Sequence, residues 1–349
     1  MYPYIAFITF VFSLLALSSM LKISLGIKNL LHYSTFVLCV LFLGLRYNVG
    51  VDYASYYAYM EKLVGGSVIF FKEPFFDISV ILVNSLGLDL RYTFLLLGLF
   101  FLIPSFLSIK YWSKNYELGV LIFILLPTFY LASFNSVRQF IAVGFFMFSI
   151  RYIYERDLLK YVIVISLGAL FHKSIILVAP IYLFVHKQLK PKILLFLVVG
   201  YILVMKFALA SILSSLGFMD KLLEFDNEGA NLKGLVFVIL CIVSYIFKGA
   251  YRSKYNDFNI VFNLIFIASI ISITPLIIPS LPSSTVLRMS SFFTPAIIFY
   301  LSAFPSLFKG TYVRVIIIVT ILTMSLLYFL QVIIYSGDRL LLTPYQTFI

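Results

Sequence analysis

Five arginines, Arg46, Arg91, Arg138, Arg288 and Arg339, fall with Asp52, Glu73 and His172 at the ends of apolar runs or on the flanks of one short apolar segment. Arginine keeps its charge when desolvated, and its planar fork matches phosphate oxygens, so such a group at one leaflet suits a pyrophosphate held at a membrane surface. The plainer alternative is that each arginine snorkels to water or pairs with Asp52, Glu73 or Asp77. Asn135, Arg138 and Gln139 are spaced by three and four residues, which stacks them on one face of a helix and offers amides and a guanidinium to a sugar phosphate or to water. His172 lies in Ala169-Leu170-Phe171-His172-Lys173-Ser174. An imidazole can take a proton from a sugar hydroxyl near neutral pH, although a histidine at a helix end is more often a simple hydrogen-bonding group. Tyr53, Tyr56, Tyr57 and Tyr59 give a short helix a partly aromatic face, suited equally to a headgroup anchor.

These residues must be positioned by an unusually apolar chain. Of 349 residues, 62% are hydrophobic and 11% charged, against roughly 45–50% and 25% in soluble domains. With a mean hydropathy of +1.08, lipid is the main solvent. Apolar runs at about 4–21, 29–45, 92–109, 118–133, 138–154, 158–172, 173–186, 192–210, 234–247, 258–277, 290–306 and 314–334 predict about twelve transmembrane helices in a single domain, 1–349. The fold class is all-α, a polytopic integral membrane protein, with a GT-C-like architecture as one option. Segment 74–88 is too short to cross and carries Asp77, so it is expected to dip into the membrane and return. Counting it as a dip sorts fifteen of the 26 Lys and Arg, but only four of the 14 Asp and Glu, to the cytoplasmic side, as the positive-inside rule requires. Both termini then face out, and the outer loops are 46–73 and 211–233.

Other chemistries lack their signatures. Cys39 and Cys241 sit in apolar runs without metal-ligand spacing, and no Walker motif, GxGxxG or HExxH is present. Charges within the runs, such as Lys206, form no relay along the bilayer normal, which weakens an ion-coupled transporter. The net charge of +12 is explained by cytoplasmic loops, and no nucleic-acid partner is needed.

In order along the chain, several elements resemble the EpsG family of Wzy-type polysaccharide polymerases. Leu45-Arg46-Tyr47-Asn48-Val49-Gly50-Val51-Asp52-Tyr53, followed by Tyr56 or Tyr57, resembles the family's Arg-x-x-x-Gly-x-Asp-Tyr signature. Glu73-Pro74 resembles its Glu-Pro element, with Phe75-Phe76 where glycine often follows. Asn135-x-x-Arg138-Gln139-x-x-Ala142 resembles its Arg-Gln motif, Phe171-His172-x-Ser174 its Phe-His element, Arg288 its late arginine, and Pro344-Tyr345 its closing Pro-Tyr. The resemblance implies a multi-pass enzyme of the bacterial inner membrane with its active site facing the periplasm or exterior. It would transfer a growing glycan from undecaprenyl pyrophosphate to the non-reducing end of a new repeat unit. No cofactor or metal is implied, and the partners are lipid-linked oligosaccharides, membrane lipids and, as an option, a chain-length regulator. His172 is the preferred base, with Asp52 and Glu73 as rivals. Arg138, Arg288 and Arg46 would bind the leaving pyrophosphate, and Asn135, Gln139 and Tyr53 would contact substrate. The rival functions are an O-antigen ligase or another lipid-linked glycosyltransferase, and a flippase or transporter of the same lipids.

Overall fold

The computed structural model describes residues 1–20, 23–67, 73–205, 230–278 and 283–349. Lys206 and most of the expected outer loop 211–233 lie outside the described residues, and the last four positions of that loop begin the helix Ala230–Ile246. The described chain is helical, with no β-strand, and divides into two compact units: Met1–Ala179 with Leu301–Ile349, and Pro180–Tyr300. Among the described residues five helices have the length and apolarity to cross a membrane: α1 (Tyr2–Met20), α2 (Leu25–Gly44), α5 (Tyr92–Trp112), and the helices Phe258–Ile277 and Thr311–Ser336. Several other expected spans are shorter. Pro127 breaks the run 118–133 into α6 (Tyr116–Leu125) and a 3-10 turn, Leu131–Phe134, while Lys173–Leu183, which contains Pro180, is a 3-10 helix. Proline lacks the N–H that a continuing helix needs and collides with the preceding turn, so the apolar composition runs on while the regular helix does not.

In the first unit, α1 buries Tyr4, Phe7, Val11 and Leu15, a stripe at helical spacing, and leaves Tyr2, Phe10, Phe12 and Leu17 exposed. The centre of the unit is the pair α5 and α7 (Val137–Tyr154), which run parallel. Gly144 lies where a Cβ would come within 2.8 Å of the Phe101 carbonyl, and the Ser108 hydroxyl donates to the Met147 carbonyl at 2.8 Å. Small residues thus let two backbones approach, as in other membrane helix pairs. In the second unit, Phe258–Ile277 packs on Ala230–Ile246. Asn263 there donates to the carbonyls of Val185 and Lys187 at 2.7 and 2.8 Å.

The short segments position the site. α3 (Tyr53–Val64) forms where the tyrosine spacing places a helix, and α4 (Pro74–Ser85) follows with Pro74 at its first turn. Twelve residues rise about 18 Å, too little for a ~30 Å hydrocarbon layer. At its start, Phe75 touches Phe171, whose ring also meets Phe100 of α5 and Phe145 of α7. From there α4 leads through the turn at Gly87 to α5.

Between α2 and α3, residues 45–50 form a loop that the carboxyl-terminal tail closes. The Tyr47 and Gly50 amides donate to the carbonyls of Gln346 and Leu341 at 2.8 and 2.7 Å, and the Phe348 amide to that of Leu45 at 3.3 Å. Tyr345 stacks on Phe42 and donates its hydroxyl to the Phe42 carbonyl at 2.6 Å, and Tyr4 donates to the Leu342 carbonyl at 2.7 Å. Arg46 fills the loop's interior. It is 1% exposed, donates to the carbonyls of Leu43, Val49 and Phe134, and lies between the Phe94 and Phe134 rings. Burial pulls its guanidinium down to about 10, which leaves it charged at neutral pH.

Gly50 has φ +102°, and a Cβ there would lie 2.4 Å from the Phe134 carbonyl, whereas Gly66, also at positive φ, has open space around it. Gly50→Ala should therefore lower the thermal midpoint of the detergent-solubilised protein by more than Gly66→Ala, with ~1–3 kcal/mol from the backbone conformation and the collision on top. Tyr345→Phe, which removes one buried hydroxyl bond, should cost about 1 kcal/mol in the same measurement.

Candidate functional site

At the start of α4, Glu73 is the residue before the helix and makes no capping bond with its side chain, so the carboxylate is directed elsewhere. One oxygen, Oε1, lies 2.8 Å from His172 Nδ1, and the other, Oε2, 2.6 Å from Arg138 Nη1. His172 follows α8 (Leu158–Ala169) by three residues, and its amide donates to the Gly168 carbonyl at 3.0 Å. The Phe75 amide donates to the Leu170 carbonyl at 3.1 Å, which ties the start of α4 to the end of α8. Fully buried Phe171 sits among Phe75, Phe100 and Phe145, so the backbone that carries His172 is pinned by aromatic packing. Arg138, on the first turn of α7, faces the rings of Tyr56 and Phe76 at 5.1 and 5.3 Å. Glu73 is 13% exposed, against 31% for His172 and 33% for Arg138. The carboxylate is thus enclosed, while both of its partners reach the opening.

A second carboxylate supports this arrangement. Asp77, one turn further along α4 and 1% exposed, accepts from the Tyr59 hydroxyl at 2.9 Å. Burial and this bond push the Tyr59 phenol up to about 12, so it remains a neutral donor. Tyr53 is buried and stacked on Phe94 at 4.6 Å.

The other expected site residues are dispersed. Asn135, Arg138 and Gln139 do not share one helical face, because α7 begins only at Val137. Asn135 accepts the Val51 amide at 2.7 Å and so supports the Arg46 loop, while Gln139 is buried. Asp52 precedes α3, where its backbone carbonyl accepts from the Tyr56 amide at 2.9 Å. The five arginines expected at one leaflet have different surroundings. Arg46 is enclosed by carbonyls, and Arg138 is paired with Glu73. Arg91 is paired with Asp89, whose carboxyl it holds below the usual range. Arg339 is exposed in the turn after Thr311–Ser336, and Arg288 belongs to the second unit, where it is exposed on the helix Ser283–Ser290. Among the described residues no group of three His, Cys, Asp or Glu could hold a metal ion.

Sequence reasoning named Glu73, Arg138 and His172 separately but not as neighbours, since 65 and 99 residues separate Glu73 from its partners. The aromatic walls, Tyr56 and Phe76, had no signal distinct from the many other rings of the chain. The Asp89–Arg91 pair was available locally, because a carboxylate two residues before an arginine in a turn can reach both its amide and its fork.

A comparison with protein-family models matches the EpsG family over residues 29–347, nearly the whole chain and all three members of the cluster. Neither the comparison with curated proteins nor that with solved structures gives a match. The span of the family match and the motif residues within it lead to one conclusion: this chain belongs to the EpsG family.

Proposed function

We propose that the protein is a polysaccharide polymerase of the bacterial inner membrane, joining undecaprenyl-pyrophosphate-linked repeat units at the outer face. The observation that carries this reading is the meeting of Glu73, Arg138 and His172, all within the span of the family match, in one cluster. A hydroxyl attacking the anomeric carbon of the donor sugar must lose its proton, and the leaving pyrophosphate gains charge as its bond to that carbon breaks. The cluster offers an imidazole for the first demand and a guanidinium for the second. A guanidinium has five N–H donors, so Arg138 can face Glu73 on one edge and a phosphate oxygen on another. Arg46 is reassigned to the scaffold, since a phosphate could reach it only by displacing its carbonyls.

His172→Ala and Arg138→Ala should each leave folded protein in the membrane but abolish chain extension, with single repeat units accumulating on the lipid carrier in an electrophoretic profile of the glycan. Normal ladders from both variants would refute the site. Transfer of preformed chains to a lipid A core by the wild type would mark a ligase instead. For the topology, Ala58→Cys on exposed α3 should react with an impermeant maleimide added outside intact cells, and Glu155→Cys at the far end of α7 should not. The reverse pattern would invert the orientation.

A further inference from the structure

The two oxygens of Glu73 are engaged differently, and the difference determines which atom of the cluster can accept a proton. Arginine has only donors to offer, and Arg138 Nη1 lies 2.6 Å from one oxygen of Glu73, so the two form an ion pair of guanidinium and carboxylate. An ionised carboxylate only accepts hydrogen bonds. The imidazole nitrogen 2.8 Å from its other oxygen, Nδ1, must therefore carry the hydrogen. A neutral imidazole bears one hydrogen, which leaves the lone pair on Nε2. The frame around this pair is stiff: Phe171 is fully buried beside His172, the Phe75 amide is bonded to Leu170, and Tyr56 and Phe76 flank the guanidinium.

We propose that Glu73 is a positioning residue rather than a rival base, and that Arg138, through Glu73, fixes His172 in the tautomer whose Nε2 deprotonates the acceptor hydroxyl. The assignment rests on the polymerase reading for its substrate, but the tautomer itself does not. In the reaction the acceptor oxygen forms its bond to the donor's anomeric carbon as the carbon–oxygen bond to pyrophosphate breaks and that electron pair leaves with the phosphate. The hydroxyl proton passes to Nε2, and the imidazolium is stabilised by the ionised Glu73 until water removes the proton. One oxygen of Glu73 is engaged by Nδ1 and the other lies against the Arg138 guanidinium, which separates this arrangement from one in which the carboxylate acts directly.

The chain has only three histidines, His32, His172 and His186, so the imidazole nitrogens of the full-length, 15N-histidine-labelled protein in nanodiscs can be assigned by replacing each in turn. His172 should show a protonated Nδ1 and an unprotonated Nε2 at neutral pH. Glu73→Gln should lose that preference, while Glu73→Asp should restore it in part. With lipid-linked repeat units in proteoliposomes, Glu73→Gln should lower kcat by about 100-fold or more and leave KM within a few-fold. A wild-type His172 protonated on Nε2 overturns the proposal, and so does a Glu73→Gln protein with unchanged kcat. If the nitrogen spectra are as expected but wild-type protein makes no polymer, the polymerase reading fails while the tautomer assignment stands.

Discussion

A carboxylate largely withdrawn from water must find its donors within the protein, and Glu73 does so by drawing together three helices that are far apart in sequence. Its side chain sits at the start of α4, and its partners at the start of α7 and just beyond α8. With only twelve residues, α4 brings Glu73 to these partners and still joins α5 through a short turn.

The charges of the first unit separate into two kinds of work. Arg46 is consumed by backbone carbonyls and holds a loop together, as a buried guanidinium must when water cannot reach it. Arg138 has a similar desolvation to overcome, but it is met by a titratable partner and by aromatic faces, with an edge still open. Two arginines that look alike in a hydropathy profile are thus, respectively, an internal brace and the partner of a carboxylate, and only the identity of their acceptors distinguishes them.

Much of this was legible in the sequence, and the reason differs from residue to residue. Apolar runs and charge asymmetry were enough for an all-helical membrane chain, because lipid leaves few other options for a backbone. The tyrosine spacing located α3. The motif order singled out Glu73, Arg138 and His172. Helix breaks within apolar stretches were harder to see, because Pro127 and Pro180 alter geometry without altering hydropathy. The pairing of Arg46 with carbonyls of Val49 and Phe134, and the support of Val51 by Asn135, left no trace at all, since backbone acceptors have no sequence signature. For that reason the arginines looked interchangeable until their partners were known.

The tail that closes over residues 45–50 sets an order on the making of the protein. Tyr345 reaches Phe42 across 303 positions, and Leu342 reaches Tyr4 across 338. A ribosome threading the chain into the bilayer delivers α1 and α2 long before it delivers the residues that complete them. Until residues 341–348 have been made, these first helices wait with a gap beside them.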